Sequence, residues 1–85
     1  MGKFKIEIKR PAMKELDHLP KQVFSGVWLR ISALADNPRP RDCKRLAGQE
    51  VYRIRCGMYR IVYGIEDAVL VVYVIKVAHR KNVYR

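Results

Sequence analysis

The chain opens with an alternation of polar and apolar residues. Phe4, Ile6 and Ile8 are separated by charged residues over positions 3–9. A period of two is typical of a β-strand with one face buried and the other in water. The pattern therefore predicts a first strand that contributes one face to a core.

Two helical patterns follow the strand. Pro11 suits the first turn of a helix, because its missing N–H group would have no partner there in any case. The apolar residues then recur at helical spacing, first at Ala12, Leu16 and Leu19 and then at Val23, Val27, Ile31 and Leu34. Pro20 ends the first helix and can open the second. We expect a helical hairpin whose apolar stripe packs on a sheet.

Loops and strands alternate in the second half. Residues 37–45, NPRPRDCKR, hold two prolines and four basic residues, which indicates an exposed loop. The remaining pattern predicts strands over 50–55, 58–65 and 68–77, with turns at Cys56–Gly57 and Glu66–Asp67. The last of these runs, AVLVVYVIKV, is almost continuously apolar, as is typical of an interior strand covered on both faces.

The order of these elements is β-α-α-β-β-β, which defines an α+β fold. We expect a mostly antiparallel four-stranded sheet with the helical hairpin packed on one face. A length of 85 residues indicates one domain over residues 1–85.

The composition indicates in which compartment the protein acts and which kind of partner it binds. No apolar run approaches 18 residues, and the first five positions already carry charge, so we expect a cytoplasmic protein that does not contact the membrane. Two isolated cysteines, Cys43 and Cys56, are too few for a disulfide framework or a zinc knuckle. The net charge is +10, of which residues 1–38 carry +3 and residues 39–85 carry +7. Such a balance points to a polyanionic or acidic partner that meets the second half of the chain.

Three arginines stand out in the stretch YRIRCGMYRIVYG. With Cys56–Gly57 as a two-residue turn, Arg53 would face Arg60 and Arg55 would face Met58. Because side chains alternate along a strand, Arg53, Arg55 and Arg60 would then project from one side of the sheet. We call this side the arginine face.

Clustered like charges on a sheet need an explanation. Directly opposed like charges destabilise a sheet, and no acidic residue lies within these two strands to neutralise them. Each guanidinium could simply reach water over its aliphatic stem. Three on one side, with Arg80 and Lys81 following in the tail, instead favour a phosphate-binding surface.

The chemistry available at such a surface is limited. Arginine binds phosphate oxygens in pairs and stabilises developing charge, but it cannot act as a general base. Tyr84 and His79 are the candidates for proton transfer; alternatively, Tyr84 is an aromatic packed on the sheet and His79 has no role. The sequence lacks a paired-carboxylate signature, a P-loop and a nucleophile triad, so we expect no metal ion and no cofactor. RNA permits such a reaction, because its own 2′-hydroxyl can attack the adjacent phosphate.

The residues also resemble the RelE/ParE superfamily of bacterial and archaeal toxins, and within it the RelE-like branch. The resemblance covers nearly the whole chain and rests on AMKELDHL, LAG, YRIRCGMYRIVY, the apolar last strand and the closing HRKNVY. It implies a small antiparallel-dominated sheet with a helical hairpin on one face. It further implies the toxin of a type II toxin–antitoxin system, a ribosome-dependent endoribonuclease that cuts mRNA in the A site of the 30S subunit without metal. The implied partner besides mRNA is a cognate antitoxin, for which an acidic, helix-rich segment would suit the excess positive charge.

The resemblance also implies roles for individual residues. The basic pair of the first hairpin strand falls on Arg53 and Arg55, the strand arginine on Arg60, the arginine after the last strand on Arg80 and the terminal tyrosine on Tyr84. The spacing from Arg80 to Tyr84 is shorter than in some members, so His79 or a group outside the protein could replace Tyr84 as the base. Lys44 and Arg45 of the basic loop and Lys81 of the tail are expected to bind RNA with Arg53 and Arg55.

Two other functions remain open at this point. One is a ParE-like toxin that inhibits DNA gyrase without catalysis, although the set of Arg60, Arg80 and Tyr84 speaks against it. The other is a basic nucleic-acid-binding module with no enzymatic activity.

Overall fold

The computed structural model describes residues 3–46, 48, 50–79 and 81. Its elements, in chain order, are β1 (Lys5–Ile8), α1 (Arg10–Asp17), α2 (Lys21–Ala33), β2 (Lys44–Arg45), β3 (Val51–Cys56), β4 (Tyr59–Glu66), a 3₁₀ turn (Asp67–Val69) and β5 (Val71–His79). No helix within the described ranges is long and apolar enough to span a bilayer.

The predicted helical hairpin is confirmed. Pro11 lies in the first turn of α1, and Pro20 directly precedes α2, where neither ring removes a helical hydrogen bond. Leu16 of α1 and Val27 and Ile31 of α2 are buried against the sheet. The 3.6-residue period of the apolar positions therefore identified the packing faces of both helices.

The five strands form one sheet in the order β1-β5-β4-β3-β2. β1 pairs with β5 in parallel, and the other three pairings are antiparallel. The α+β class with a mostly antiparallel sheet is thus confirmed, but the prediction of four strands was wrong. The fifth strand is the two-residue β2, which lies within the predicted loop over 37–45 and pairs with β3 at the sheet edge.

The core lies between the hairpin and one face of the sheet. Its buried apolar residues are Ala12, Leu16, Val27, Ile31, Leu34, Tyr52, Ile54, Ile61, Tyr63, Ile65, Val72, Val74 and Val77. Fully burying one such aliphatic side chain contributes about 1.5–3 kcal/mol, so this layer fixes which face of each strand points inwards.

The β3–β4 turn lies one residue later than predicted, which shifts the pairing of the two strands by two residues. Cys56 pairs with Tyr59, so the turn residues are Gly57 and Met58 and not Cys56 and Gly57. Gly57 has a φ of 61°, a left-handed conformation that glycine adopts at little cost. A two-residue hairpin turn with glycine at its first central position is a standard type II′ arrangement, which explains why the turn starts at Gly57.

The last strand also differs from its prediction. β5 begins at Val71, because residues 67–69 form the 3₁₀ turn and Leu70 adopts a left-handed conformation. Although β5 is an interior strand, it is covered on one face only: Val72 and Val74 are fully buried, whereas Ile75 is 38% exposed. The helices cover the inner face, and no described element covers the outer one.

Candidate nucleic-acid interface

The arginine face exists as predicted, with a different pairing inside it. Arg55 faces Arg60 across the hairpin, and Arg53 faces Val62. The prediction that Arg53 faces Arg60 was therefore wrong. A shift of two residues preserves the alternation of side chains, so all three arginines still project away from the helices.

Lys44 extends the arginine face to the sheet edge. It pairs with Arg53 in the β2–β3 ladder and therefore points to the same side. Two pairs of like charges thus face each other directly, Lys44 with Arg53 and Arg55 with Arg60. Each such pair costs a few tenths to about 1 kcal/mol in a sheet.

The positive and negative charges on this side of the sheet lie at opposite ends of β4. Glu66 projects from the same side as Arg60 but lies six residues along the strand, or roughly 20 Å away. There it accepts a hydrogen bond of 2.7 Å from the hydroxyl of Tyr73. Beyond about 8 Å, exposed charges are largely screened at physiological salt, so Glu66 does not neutralise the arginines. Among the described residues, no carboxylate forms an ion pair with Lys44 or Arg55.

Arg45 does not join this surface. As the neighbour of Lys44 in a two-residue strand it pairs with Tyr52 and points to the helix side. Its guanidinium forms a 3.0 Å ion pair with Glu50. Alternation along β2 thus separates Arg45 from Lys44 and Arg53, and its binding to RNA remains a prediction.

His79 is also separated from the arginines. It pairs with Tyr59, and the two rings meet edge to face with their centroids 5.4 Å apart. His79 therefore lines a groove on the helix side, of about 490 Å³, which it shares with Lys14, Glu15 and His18. The structure thus does not place His79 near Arg60, contrary to the expectation from the sequence.

The basic tail is only partly described. Arg80 and Tyr84 lie outside the described residues, so their roles remain predictions. Lys81 is exposed, and its backbone N–H donates a 3.4 Å hydrogen bond to Nδ1 of His79.

The loop between α2 and β2 is anchored to the core at several points. The hydroxyl of Tyr63, which is fully buried, donates a 2.7 Å hydrogen bond to the carbonyl oxygen of Pro38. Burial, with a smaller contribution from Cys43, raises the pKa of Tyr63 well above its ordinary value of 10.0. Farther along the loop, Arg30 of α2 donates a 2.6 Å hydrogen bond to Asp42. The loop that leads to Lys44 is therefore held in place on both sides of Pro40.

Arg39 joins this loop to two other segments. It donates hydrogen bonds of 3.2 and 2.9 Å to the carboxylate of Asp67, and one of 3.1 Å to the hydroxyl of Tyr52. The Asp67 carboxylate chiefly, and then Tyr52, raise the pKa of Arg39, while Arg39 holds the pKa of Asp67 below its usual range. Sequence reasoning missed this role of Arg39, because it is separated from Asp67 by 28 positions and no pattern in the sequence indicates that the two meet.

Glu15 closes the edge of β5 that β1 leaves open. β1 ends at Ile8, which pairs with Val74, so the following part of β5 has no strand on that side. One carboxylate oxygen of Glu15 accepts a 2.7 Å hydrogen bond from the N–H of Val77, and the other forms a 3.1 Å ion pair with Lys76. Lys76 is thus bound within the protein and is not counted in the arginine face.

A cleft lies beside Arg53 at the sheet edge. It has a volume of about 380 Å³ and is lined by Arg41, Asp42, Cys43, Lys44, Arg53 and Arg55. Within the described part of the chain, no group of three or more His, Cys, Asp or Glu side chains is placed to hold a metal ion.

The fold of this chain is shared with a family of toxins. The family of the ParE toxin of type II toxin–antitoxin systems matches residues 6–84. The chain therefore belongs to the RelE/ParE toxin superfamily.

Its similar proteins place it in the RelE-like branch. A curated protein of Methanocaldococcus jannaschii named as the toxin RelE1 is 34% identical over 89 residues, covering 98% of this chain and 97% of that protein. The toxin–antitoxin complex RelBE of E. coli contains a chain that is 27% identical with a TM-score of 0.80, covering 89% of this chain and 95% of the other. The RelE–RelB complex of Pyrococcus horikoshii is similar in fold, with a TM-score of 0.80 at 24% identity and coverage of 94% and 98%.

Proposed function

We propose that this protein is the toxin of a type II toxin–antitoxin pair and that it cleaves mRNA in the ribosomal A site. The observation that supports this most directly is the pair of like-charge contacts on the arginine face, Lys44 with Arg53 and Arg55 with Arg60. They oppose folding and point away from the core, so the benefit that offsets their cost lies in binding. A ribose–phosphate backbone carries one negative charge per nucleotide, so it can offset the repulsion between these side chains.

The proposed reaction uses the RNA's own nucleophile. The 2′-oxygen attacks the adjacent phosphorus, its proton passes to a base, and the bond to the 5′-oxygen of the next nucleotide breaks as that oxygen takes up a proton. The products are a 2′,3′-cyclic phosphate and a 5′-hydroxyl. The protein's tasks are to align the backbone and to stabilise the charge that develops on the phosphate.

Each residue of the proposed site is assigned a role from its position in the sheet and its side-chain chemistry. Arg60 lies between Arg55 of β3 and Ala78 of β5 and would stabilise the scissile phosphate. Arg53 and Arg55 would hold the flanking backbone, as would Arg80 by resemblance. Because His79 points to the helix side, Tyr84 remains the candidate base, and the resemblance alone supports its role.

A cognate antitoxin is the expected protein partner. Similar chains occur in complexes named for RelB antitoxins, and a net charge of +10 suits an acidic partner segment. Both the ribosome and such an antitoxin imply action in the cytoplasm. A short open reading frame for an acidic, helix-rich protein next to this one would support the pairing.

The test is cleavage in a translating extract. Adding the protein should yield mRNA fragments that end in 2′,3′-cyclic or 3′-phosphate. Arg60→Ala should lower the cleavage rate by about 10²–10³-fold, the usual loss for one well-placed donor of transition-state charge. Arg10→Ala is the matched control, because Arg10 is an exposed arginine at the start of α1, on the other side of the sheet.

The same preparation separates the alternatives. Intact mRNA together with blocked DNA supercoiling by gyrase would contradict the proposal and favour a ParE-like inhibitor. Intact mRNA, active gyrase and salt-sensitive RNA binding would instead favour a non-catalytic binding module.

A further inference from the structure

The cleft at the sheet edge brings Arg41 next to Lys44, Arg53 and Arg55 of the arginine face. Four of its six lining residues are cationic, and two of these, Arg41 and Lys44, come from the segment before β3. At about 380 Å³ it falls within the size range of small-ligand sites. It therefore has room for one nucleotide unit of a bound strand.

The segment that supplies Arg41 is held rigidly. On one side, Asp42 accepts a 2.6 Å hydrogen bond from Arg30 of α2. On the other, the N–H of Cys43 donates a 3.0 Å hydrogen bond to the carbonyl oxygen of Pro40. The backbone of the turn that carries Arg41 is thus held in place, so binding of a ligand has to order only the side chain of Arg41.

No described carboxylate neutralises Arg41. Neither an ion pair nor a hydrogen bond of its side chain to a described residue is present. Asp42, its neighbour in sequence, is engaged by Arg30. Arg41 therefore adds its full charge to the cleft, next to Lys44 and Arg55.

We infer that this cleft is a second phosphate-binding subsite, which holds a nucleotide beside the scissile one, and that Arg41 is its anchoring residue. The inference rests on the proposed function, because it assigns the neighbouring phosphate of the same RNA strand. Lys44, Arg53 and Arg55 belong to both the cleft and the arginine face and so connect the two subsites.

Equilibrium binding tests the inference without the ribosome. The probe is a dye-labelled six-nucleotide RNA whose 2′-hydroxyls are methylated, so that it cannot be cleaved, and binding is read by fluorescence anisotropy at several salt concentrations. Arg41→Ala should weaken binding about fivefold, as expected for the loss of one exposed ion pair. It should also reduce the slope of log affinity against log salt by about 0.7, the value for one phosphate contact on a single strand. Arg41→Lys should retain the slope, because it retains the charge.

Arg10→Ala, the control on α1, should change neither the affinity nor the slope by a comparable amount.

The outcomes separate the inference from the proposed function. If the wild type cleaves mRNA in extract but Arg41→Ala binds RNA as Arg10→Ala does, the subsite is refuted and the function stands. If the wild type does not cleave while Arg41→Ala still loses one contact in the salt slope, the function is refuted and the phosphate site stands.

Discussion

At the scale of single residues, Tyr63 links the core to the loop that carries the cleft. Its ring belongs to the buried layer, and its hydroxyl is bonded to the carbonyl oxygen of Pro38. Burial chiefly, and then Cys43, raise the pKa of Tyr63, so its phenol resists ionisation in the folded protein.

This raised pKa predicts a specific loss of stability in alkali. The folded state holds the Tyr63 proton more tightly than the unfolded chain, so its contribution is fully present below pH 10 and declines as the pH rises towards the folded pKa. Tyr63→Phe should be less stable than the wild type by about 1 kcal/mol near neutral pH, because Pro38 loses its donor. Above pH 10 this difference should shrink by up to about 1.4 kcal/mol per pH unit.

Chemical denaturation between pH 7 and pH 11.5 measures both free energies of unfolding. A difference between the wild type and Tyr63→Phe that stays constant up to pH 11.5 would show that Tyr63 ionises equally easily in both states.

At the scale of elements, the β3–β4 hairpin contains most of the arginine face, and the repulsion between these arginines lowers its stability. Arg55 faces Arg60, and the described residues include no ion pair for Arg55. Arg55→Gln should therefore raise the free energy of unfolding by a few tenths to about 1 kcal/mol. The same change should weaken RNA binding, as is common where a functional site conflicts with stability.

A double-mutant cycle isolates the repulsion. In an Arg60→Gln background, Arg55→Gln should give a smaller gain, because the opposing charge is already absent. Arg45→Gln is the control at the same sheet edge, where the arginine is paired with Glu50 and no gain is expected. Equal gains from Arg55→Gln in both backgrounds would mean that the two arginines do not repel each other across the strands.

The elements also show what the sequence could predict. The helices and the sharing of one face by Arg53, Arg55 and Arg60 followed from periodicity. The two-residue shift in strand pairing leaves this sharing unchanged. β2 could not be predicted, because two residues after a proline-rich loop become a strand only through pairing with β3.

The position of His79 depends on a bulge that periodicity does not reveal. Val62 pairs with Lys76 and Tyr63 with Val74, so Ile75 is an extra residue in β5. If every residue of β5, Ile75 included, alternated regularly from Val74 onwards, His79 would lie on the arginine face. The bulge moves it to the helix side, beside Tyr59.

At the scale of the whole molecule, the net charge of +10 is larger than the number of cations in the proposed RNA-binding site. The structure places five cations around the arginine face and cleft: Arg41, Lys44, Arg53, Arg55 and Arg60. Others, such as Arg39 and Lys76, are engaged by carboxylates elsewhere. Binding should therefore be local and not spread over the surface.

Salt dependence distinguishes these two cases. At about 0.7 per phosphate contact on a single strand, five contacts predict a slope of log affinity against log salt near −3.5. Diffuse binding through all ten net charges would give about −7. Anisotropy titrations of a longer methylated RNA, of roughly twenty nucleotides so that its phosphates outnumber the net charges of the protein, would measure the slope between 50 and roughly 300 mM salt. A value near the steeper figure would contradict a focused site.

The most direct test of the central claim is a map of where RNA binds. Titrating the isotope-labelled protein with the methylated six-nucleotide RNA, and following NMR shifts residue by residue, gives such a map without requiring cleavage. We expect the largest NMR shift changes at Arg53, Arg55 and Arg60 and at Lys44 beside them. Changes confined to the helix side, around His18 and His79, would contradict it.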